Sequence, residues 1–147
     1  MHITAREHPV ATTAHDVAPP RAFLRAVVGG LLLFRAIDAC AIAYQGWSGS
    51  TQPTQWLNGA TPASGATLGA LLLVVIAAPS LIAAFAVMLR HPLGRSLGVA
   101  SGAAALGWLG AQVAMIGIVT WYQPFVVVAT VTLMLLTWAV PNANEMA

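Results

Sequence analysis

The sequence predicts an all-α fold, a four-helix transmembrane bundle, on three observations. Only 7% of the 147 residues are charged, whereas a soluble domain carries about 25%. Hydrophobic residues make up 59% of the chain, and most of them lie in four segments of about 20 residues, the length of helix that crosses a bilayer. These segments do not alternate apolar and polar residues, as the strands of a membrane barrel do. We therefore expect lipid, rather than water, to surround most of the chain.

The predicted spans occupy most of a membrane domain at 21–141. The four segments are 22–44, 67–89, 96–119 and 124–140. Residues 1–20 are polar and lack an apolar period, so we expect a flexible cytoplasmic tail there, and a second short tail at 142–147. The first span is too long for the apolar core of a signal peptide and contains charged residues, which disfavours its cleavage.

Arginines predict the orientation of the spans, since basic residues stay on the cytoplasmic side. Arg6, Arg21 and Arg25 lie before or at the start of the first span, and Arg90 and Arg95 lie in the turn RHPLGR. The loops at 46–66 and 120–123 carry no charge. Both termini and the turn RHPLGR are therefore expected inside, in a multi-pass protein of the plasma (inner) membrane. Aromatic residues at the expected span ends fit interfacial anchors: Trp47, Trp56, Trp121 and Tyr122 outside, and Trp138 inside.

Two charged residues interrupt the first span, in LLLFRAIDAC. Arg35 and Asp38 are three residues apart, so a helix places them on neighbouring positions of one face. Each costs at least about 2.5–3.5 kcal/mol in the middle of a bilayer unless it is compensated. Three interpretations remain open: an ion pair within the helix, a site for protons, ions or an anionic ligand, and a contact with a polar group of another subunit.

The third span contributes two more candidates for an intramembrane polar centre. Trp108 and Gln112 are four residues apart in LGWLGAQVAMIG, and therefore share a helix face. A glutamine in lipid needs a hydrogen-bond partner, which either joins two helices or belongs to a polar cavity shared with Arg35 and Asp38.

Small residues and one proline are expected to shape the helix packing. Glycines that predict close helix contacts are Gly94, Gly98, Gly102, Gly107 and Gly110. Pro79, inside the second span, lacks a backbone N–H and predicts a helix kink, with Ser80 next to it as a hydrogen-bonding group.

The sequence lacks the residues that several classes of function require. None of the histidines (His2, His8, His15 and His91) lies in a span, so a buried bis-histidine haem has no ligands. Asp38 is the only carboxylate in a span and Cys40 the only cysteine, which disfavours paired-carboxylate catalysis, a metal site and an internal disulfide. We expect no enzyme activity, no cofactor and, without a clustered basic face, no nucleic-acid binding.

A short motif carries a family resemblance. Residues 107–124, GWLGAQVAMIGIVTWYQP, contain W-x-x-x-Q-x-x-x-x-G followed by Q-P, at Trp108, Gln112, Gly117, Gln123 and Pro124. In this motif and in its arrangement of spans, the chain resembles small four-helix integral membrane proteins of bacteria that are mostly uncharacterised. It resembles DoxX-like proteins more loosely, in size and number of spans. The resemblance implies no established activity.

The leading functional expectation is a protein that acts by helix contacts in the bilayer, with copies of itself or as an accessory subunit of a membrane complex. One alternative is an oligomeric small transporter or channel, with Arg35, Asp38 and Gln112 along its polar path. A second alternative is a lipid- or quinone-handling accessory of a membrane enzyme, with Trp108 beside an apolar pocket.

Overall fold

A computed structural model describes residues 20–48, 65–117 and 122–140. In these residues the chain forms four long helices: α1 (Pro20–Ser48), α2 (Gly65–Met88), α3 (Gly94–Ile116) and α4 (Tyr122–Ala139). Each is long and apolar enough to cross a membrane, which confirms the predicted all-α four-helix fold. Most of the predicted tail at 1–20, the tail at 142–147 and most of the 46–66 loop lie outside the described residues.

Neighbouring helices run antiparallel and pack in chain order. Gly29 near the start of α1 meets Met88 at the end of α2, while Gly46 near the end of α1 meets Gly65 at the start of α2. Helix α2 packs along α3 and α3 along α4, and α4 returns to touch α1 over a shorter stretch. Helices α1 and α3 are therefore diagonal in the bundle.

The closely packed core lies in the half of the bundle nearest the α2–α3 turn. Its buried members are Val28, Leu32, Ala83, Ala84, Val87, Leu133 and Val140. Large apolar side chains cover the outside instead, with Phe23, Val74 and Leu135 each 65% exposed or more. In water such a surface would be strongly unfavourable. Lipid contact around the bundle therefore explains why so little of each helix is buried.

The hydrogen-bond register of α2 changes in the turn just before Pro79. The turn Leu73–Ala77 is π-helical, and the backbone N–H of Ala78 donates to the carbonyl of Leu73, five residues earlier. Pro79 offers no N–H, and its ring would collide with the carbonyl four residues before it in a regular helix. The wider turn accommodates the ring and lets the chain continue as an α-helix to Met88.

A tight turn joins α2 to α3. Arg90 has a φ of 58°, while the N–H of His91 donates to the carbonyl of Ala86 at 2.8 Å and that of Arg90 to Val87 at 3.3 Å. This pair of bonds is the Schellman motif, which favours glycine at the left-handed position that Arg90 occupies here. Gly117, with a φ of 74° and a ψ of −173°, ends α3 in an extended positive-φ conformation that essentially only glycine adopts. That φ is a physical reason for the glycine of the W-x-x-x-Q-x-x-x-x-G motif.

Candidate functional site

Arg35 is directed into the bundle from the middle of α1. Its neighbours Leu32, Ala36 and Ala39 are buried, and Arg35 itself lies at the edge of this buried face and is half-buried. The guanidinium Nη2 donates a hydrogen bond to the backbone carbonyl of Ser101 at 2.5 Å. Because Ser101 belongs to α3, this bond spans the diagonal of the bundle.

Two serines extend the polar centre to a third helix. The hydroxyl oxygens of Ser80 in α2 and Ser101 in α3 are 3.3 Å apart, close enough for either to donate to the other. Both residues are almost completely buried. Arg35, Ser80 and Ser101, here called the central cluster, therefore connect α1, α2 and α3 in the interior of the bundle.

The guanidinium of Arg35 is incompletely satisfied. Its Nε and Nη1 atoms are buried and have no hydrogen-bond partner among the described residues. A buried donor without a partner costs about 1–3 kcal/mol, and more when the group is charged. Arg35 is thus a cation in the bundle interior that one backbone carbonyl compensates only in part. Its chemistry suits an acceptor, such as water or an anion, at the two remaining donors.

The structure does not form the ion pair considered between Arg35 and Asp38. Asp38 is exposed on the outside of α1, and the described part of the chain gives it neither an ion pair nor a hydrogen bond. Positions three apart differ by about 60° around a helix. That difference carries the short carboxylate away from the bundle, while the long arginine side chain reaches inward to Ser101.

Trp108 and Gln112 do not join the central cluster either. Both are half-buried, but they lie seven and eleven residues beyond Ser101 on α3, or about 10 and 16 Å along the helix axis. The expected polar centre of Arg35, Asp38, Trp108 and Gln112 is therefore replaced by the central cluster. Sequence reasoning missed Ser101, although a small hydroxyl beside Gly102 in a closely packed helix was the available signal.

The glycines of α3 fall into two groups. A Cβ on Gly94 would lie 2.9 Å from the carbonyl oxygen of Ala86, and one on Gly98 or Gly102 would collide with Thr137 or Met134 in α4. Among the described residues, no atom lies within 4 Å of a Cβ placed on Gly107 or Gly110. The first three glycines thus allow close approach of neighbouring helices within this chain, whereas the last two face open space.

Metal ligation finds no support in the described residues, which contain no group of three or more His, Cys, Asp or Glu side chains. Cys40 is exposed on α1. The central cluster consists of one guanidinium and two hydroxyls.

Comparisons with known protein families, with curated proteins and with solved structures find no match to this chain. The resemblance based on the Trp-Gln motif accordingly stays a prediction. The structure shows a four-helix protein with four candidate membrane spans.

Proposed function

We propose that this multi-pass membrane protein acts through helix contacts in the bilayer, as a self-assembling component or accessory subunit of a membrane complex. The observation that carries the proposal is the position of Asp38. Its side chain is exposed on the outside of α1, six residues before the predicted end of the span, or about 9 Å inside it. Lipid tails offer a carboxylate no hydrogen bond, so a protein partner is the compensating surface.

The surroundings of Asp38 suit a helix partner. Phe34, Ala41 and Gln45 are also exposed, and their spacing from Asp38 places all four on one outward face of α1, here called the Asp38 face. Ala41 is small enough to let a second helix approach closely. Phe34 provides apolar contact area, and Asp38 provides a polar group that a partner helix can recognise by hydrogen bonding.

Gentle detergent extraction of the full-length protein tests this proposal. We expect the wild-type protein to migrate as a homo-oligomer or with other membrane subunits, and Asp38→Leu to release the monomer. The matched control is Cys40→Leu, an exposed residue two positions further along α1 and about 160° away around the helix. A monomeric wild-type protein, or equal assembly of the wild type and Asp38→Leu, would contradict the proposal.

Cross-linking locates the contact independently. In a Cys40→Ser background, Phe34→Cys places a thiol on the Asp38 face, whereas native Cys40 lies about 120° away from Phe34. For a homo-oligomer, a short bis-maleimide should link Phe34→Cys between copies in native membranes and should link wild-type Cys40 much less. Equal cross-linking at both positions would show that the Asp38 face is not the contact.

A second candidate, an oligomeric transporter or channel, is favoured by the buried Nε and Nη1 atoms of Arg35, which have no partner in the described chain. In this case the guanidinium would bind an anion on its path through the assembled protein. Proteoliposomes should then release chloride, Arg35→Met should abolish the release, and Cys40→Ser should leave it unchanged. Wild-type vesicles as tight as protein-free vesicles would discard this candidate.

A further inference from the structure

A groove opens on the outside of the bundle where α3 begins and α4 ends. It is a shallow, open groove of about 550 Å³, lined by Pro92, Arg95, Ser96, Val99, Ala100 and Trp138. Its volume is within the range of about 300–1,000 Å³ that is typical of ligand pockets. Both helices reach the end of their candidate membrane spans here, so the groove lies at the level where lipid headgroups meet the hydrocarbon.

Arg95 presents unused hydrogen-bond donors to this groove. Its guanidinium carbon lies 4.3 Å from the centre of the Trp138 ring, and within the described chain it forms no hydrogen bond or ion pair. This cation–π contact holds the guanidinium beside the groove. The N–H donors point outward in the plane, so they are available for a bidentate bond to a phosphate or carboxylate.

The groove changes from polar to apolar along α3. Ser96 is exposed beside Arg95 and its hydroxyl has no hydrogen-bond partner in the described residues. Val99 and Ala100 follow one helical turn further toward the middle of the span. A charged end at the interface and an apolar end toward the membrane interior match the two parts of a phospholipid.

We propose that this groove binds an anionic phospholipid, with Arg95 and Ser96 on the headgroup phosphate and an acyl chain along Val99 and Ala100. Charge complementarity supports this ligand, since the adjacent turn carries Arg90, and the described chain contains no acidic residue except Asp38, on α1. In the orientation predicted from the arginines, the groove faces the cytoplasmic leaflet, where anionic lipids are concentrated.

Native mass spectrometry of the delipidated full-length protein, titrated with phosphatidylglycerol or phosphatidylcholine, tests the proposal. The wild type should prefer phosphatidylglycerol. Arg95→Gln should weaken phosphatidylglycerol binding about fivefold, the value for one basic group near a charged membrane surface, and should weaken phosphatidylcholine binding less, because the choline cation offsets the charge of its phosphate. Arg90→Gln is the matched control, because Arg90 belongs to the same turn but does not line the groove.

Two further variants separate recognition from a general loss of charge or structure. Trp138→Leu should lower phosphatidylglycerol binding although it removes no charge, because the guanidinium loses its stacking surface. Ser96→Ala, at an exposed position, should weaken the same binding without affecting the fold. Equal losses in Arg95→Gln and Arg90→Gln, or a wild type that binds both lipids equally, would overturn the proposal.

Discussion

Substituting alanine for individual glycines of α3 gives a direct test of how α3 packs. A Cβ at Gly98 would collide with Cγ2 of Thr137, whereas a Cβ at Gly107 or Gly110 would meet no atom within 4 Å. Thr137 cannot easily move, because it is branched at Cβ, is buried, and its hydroxyl donates to the carbonyl of Leu133 at 2.7 Å. The same substitution should therefore have opposite effects at different positions of one helix.

The magnitudes follow from two competing terms. Alanine is favoured over glycine in a helix interior by about 0.5–1 kcal/mol, and an added carbon in a packed interface costs about 1–3 kcal/mol. Gly107→Ala and Gly110→Ala should accordingly raise the free energy of unfolding by about 0.5–1 kcal/mol. Gly98→Ala should lower it by up to about 2.5 kcal/mol, the difference between the packing cost and the helix-propensity gain. Gly102→Ala should cost less than Gly98→Ala, because the side chain of Met134 can change rotamer.

The assay is reversible unfolding in mixed micelles by increasing fractions of sodium dodecyl sulfate, followed by far-ultraviolet circular dichroism. Gly107→Ala and Gly110→Ala serve as matched controls for Gly98→Ala, since each adds the same methyl group to α3. If Gly98→Ala stabilises the protein as much as Gly107→Ala does, then α3 and α4 do not approach as closely as the structure shows, and the packing argument is refuted.

Four other substitutions or fusions have defined outcomes. Arg35→Met loses one charge-assisted hydrogen bond but removes two unsatisfied buried donors, so the unfolding assay should show unchanged or higher stability; a loss above about 3 kcal/mol would indicate a paired charge. Ser101→Ala should cost about 1–3 kcal/mol in the same assay, because Arg35 keeps the backbone carbonyl while the buried Ser80 hydroxyl loses its partner. Arg90→Gly should raise the melting temperature by relieving the positive φ of 58°, and Arg90→Ala should not. Reporter enzymes fused to the two termini should both be active in the cytoplasm; activity on opposite sides would overturn the predicted orientation.

For the central cluster, the sequence predicts that Arg35 needs a partner but does not identify that partner. Arg35 stands out in any hydropathy profile, and the need to compensate it follows from its charge alone. Its partner does not follow, because the acceptor is a backbone carbonyl of Ser101, and every residue carries a carbonyl. The nearest opposite charge in sequence, Asp38, was the natural expectation, yet a rotation of about 60° around α1 separates the two side chains.

The sequence likewise does not identify which glycines of α3 contact a neighbouring helix. A repeat of small residues indicates that close approach is possible, but it does not identify which of them meets a neighbouring helix. Gly98 and Gly110 look alike in the sequence, yet the structure places one against Thr137 and the other in open space. Only the rotation and tilt of α3 against α4 decide this difference.

The amino-acid sequence by itself determined the helical, membrane-spanning character of the protein. The length of an apolar segment and its lack of charge can be read directly from the sequence, and a helix of that length matches the thickness of the bilayer. The sequence also predicts a helix kink at Pro79, since a missing N–H acts on its own helix. The tertiary structure alone decided that Arg35 crosses to Ser101, that Asp38 faces outward, and that Arg95 rests on Trp138 beside an open groove. Each of these depends on how the packed helices are rotated relative to one another. Many weak contacts together determine that rotation, so no short stretch of sequence predicts it.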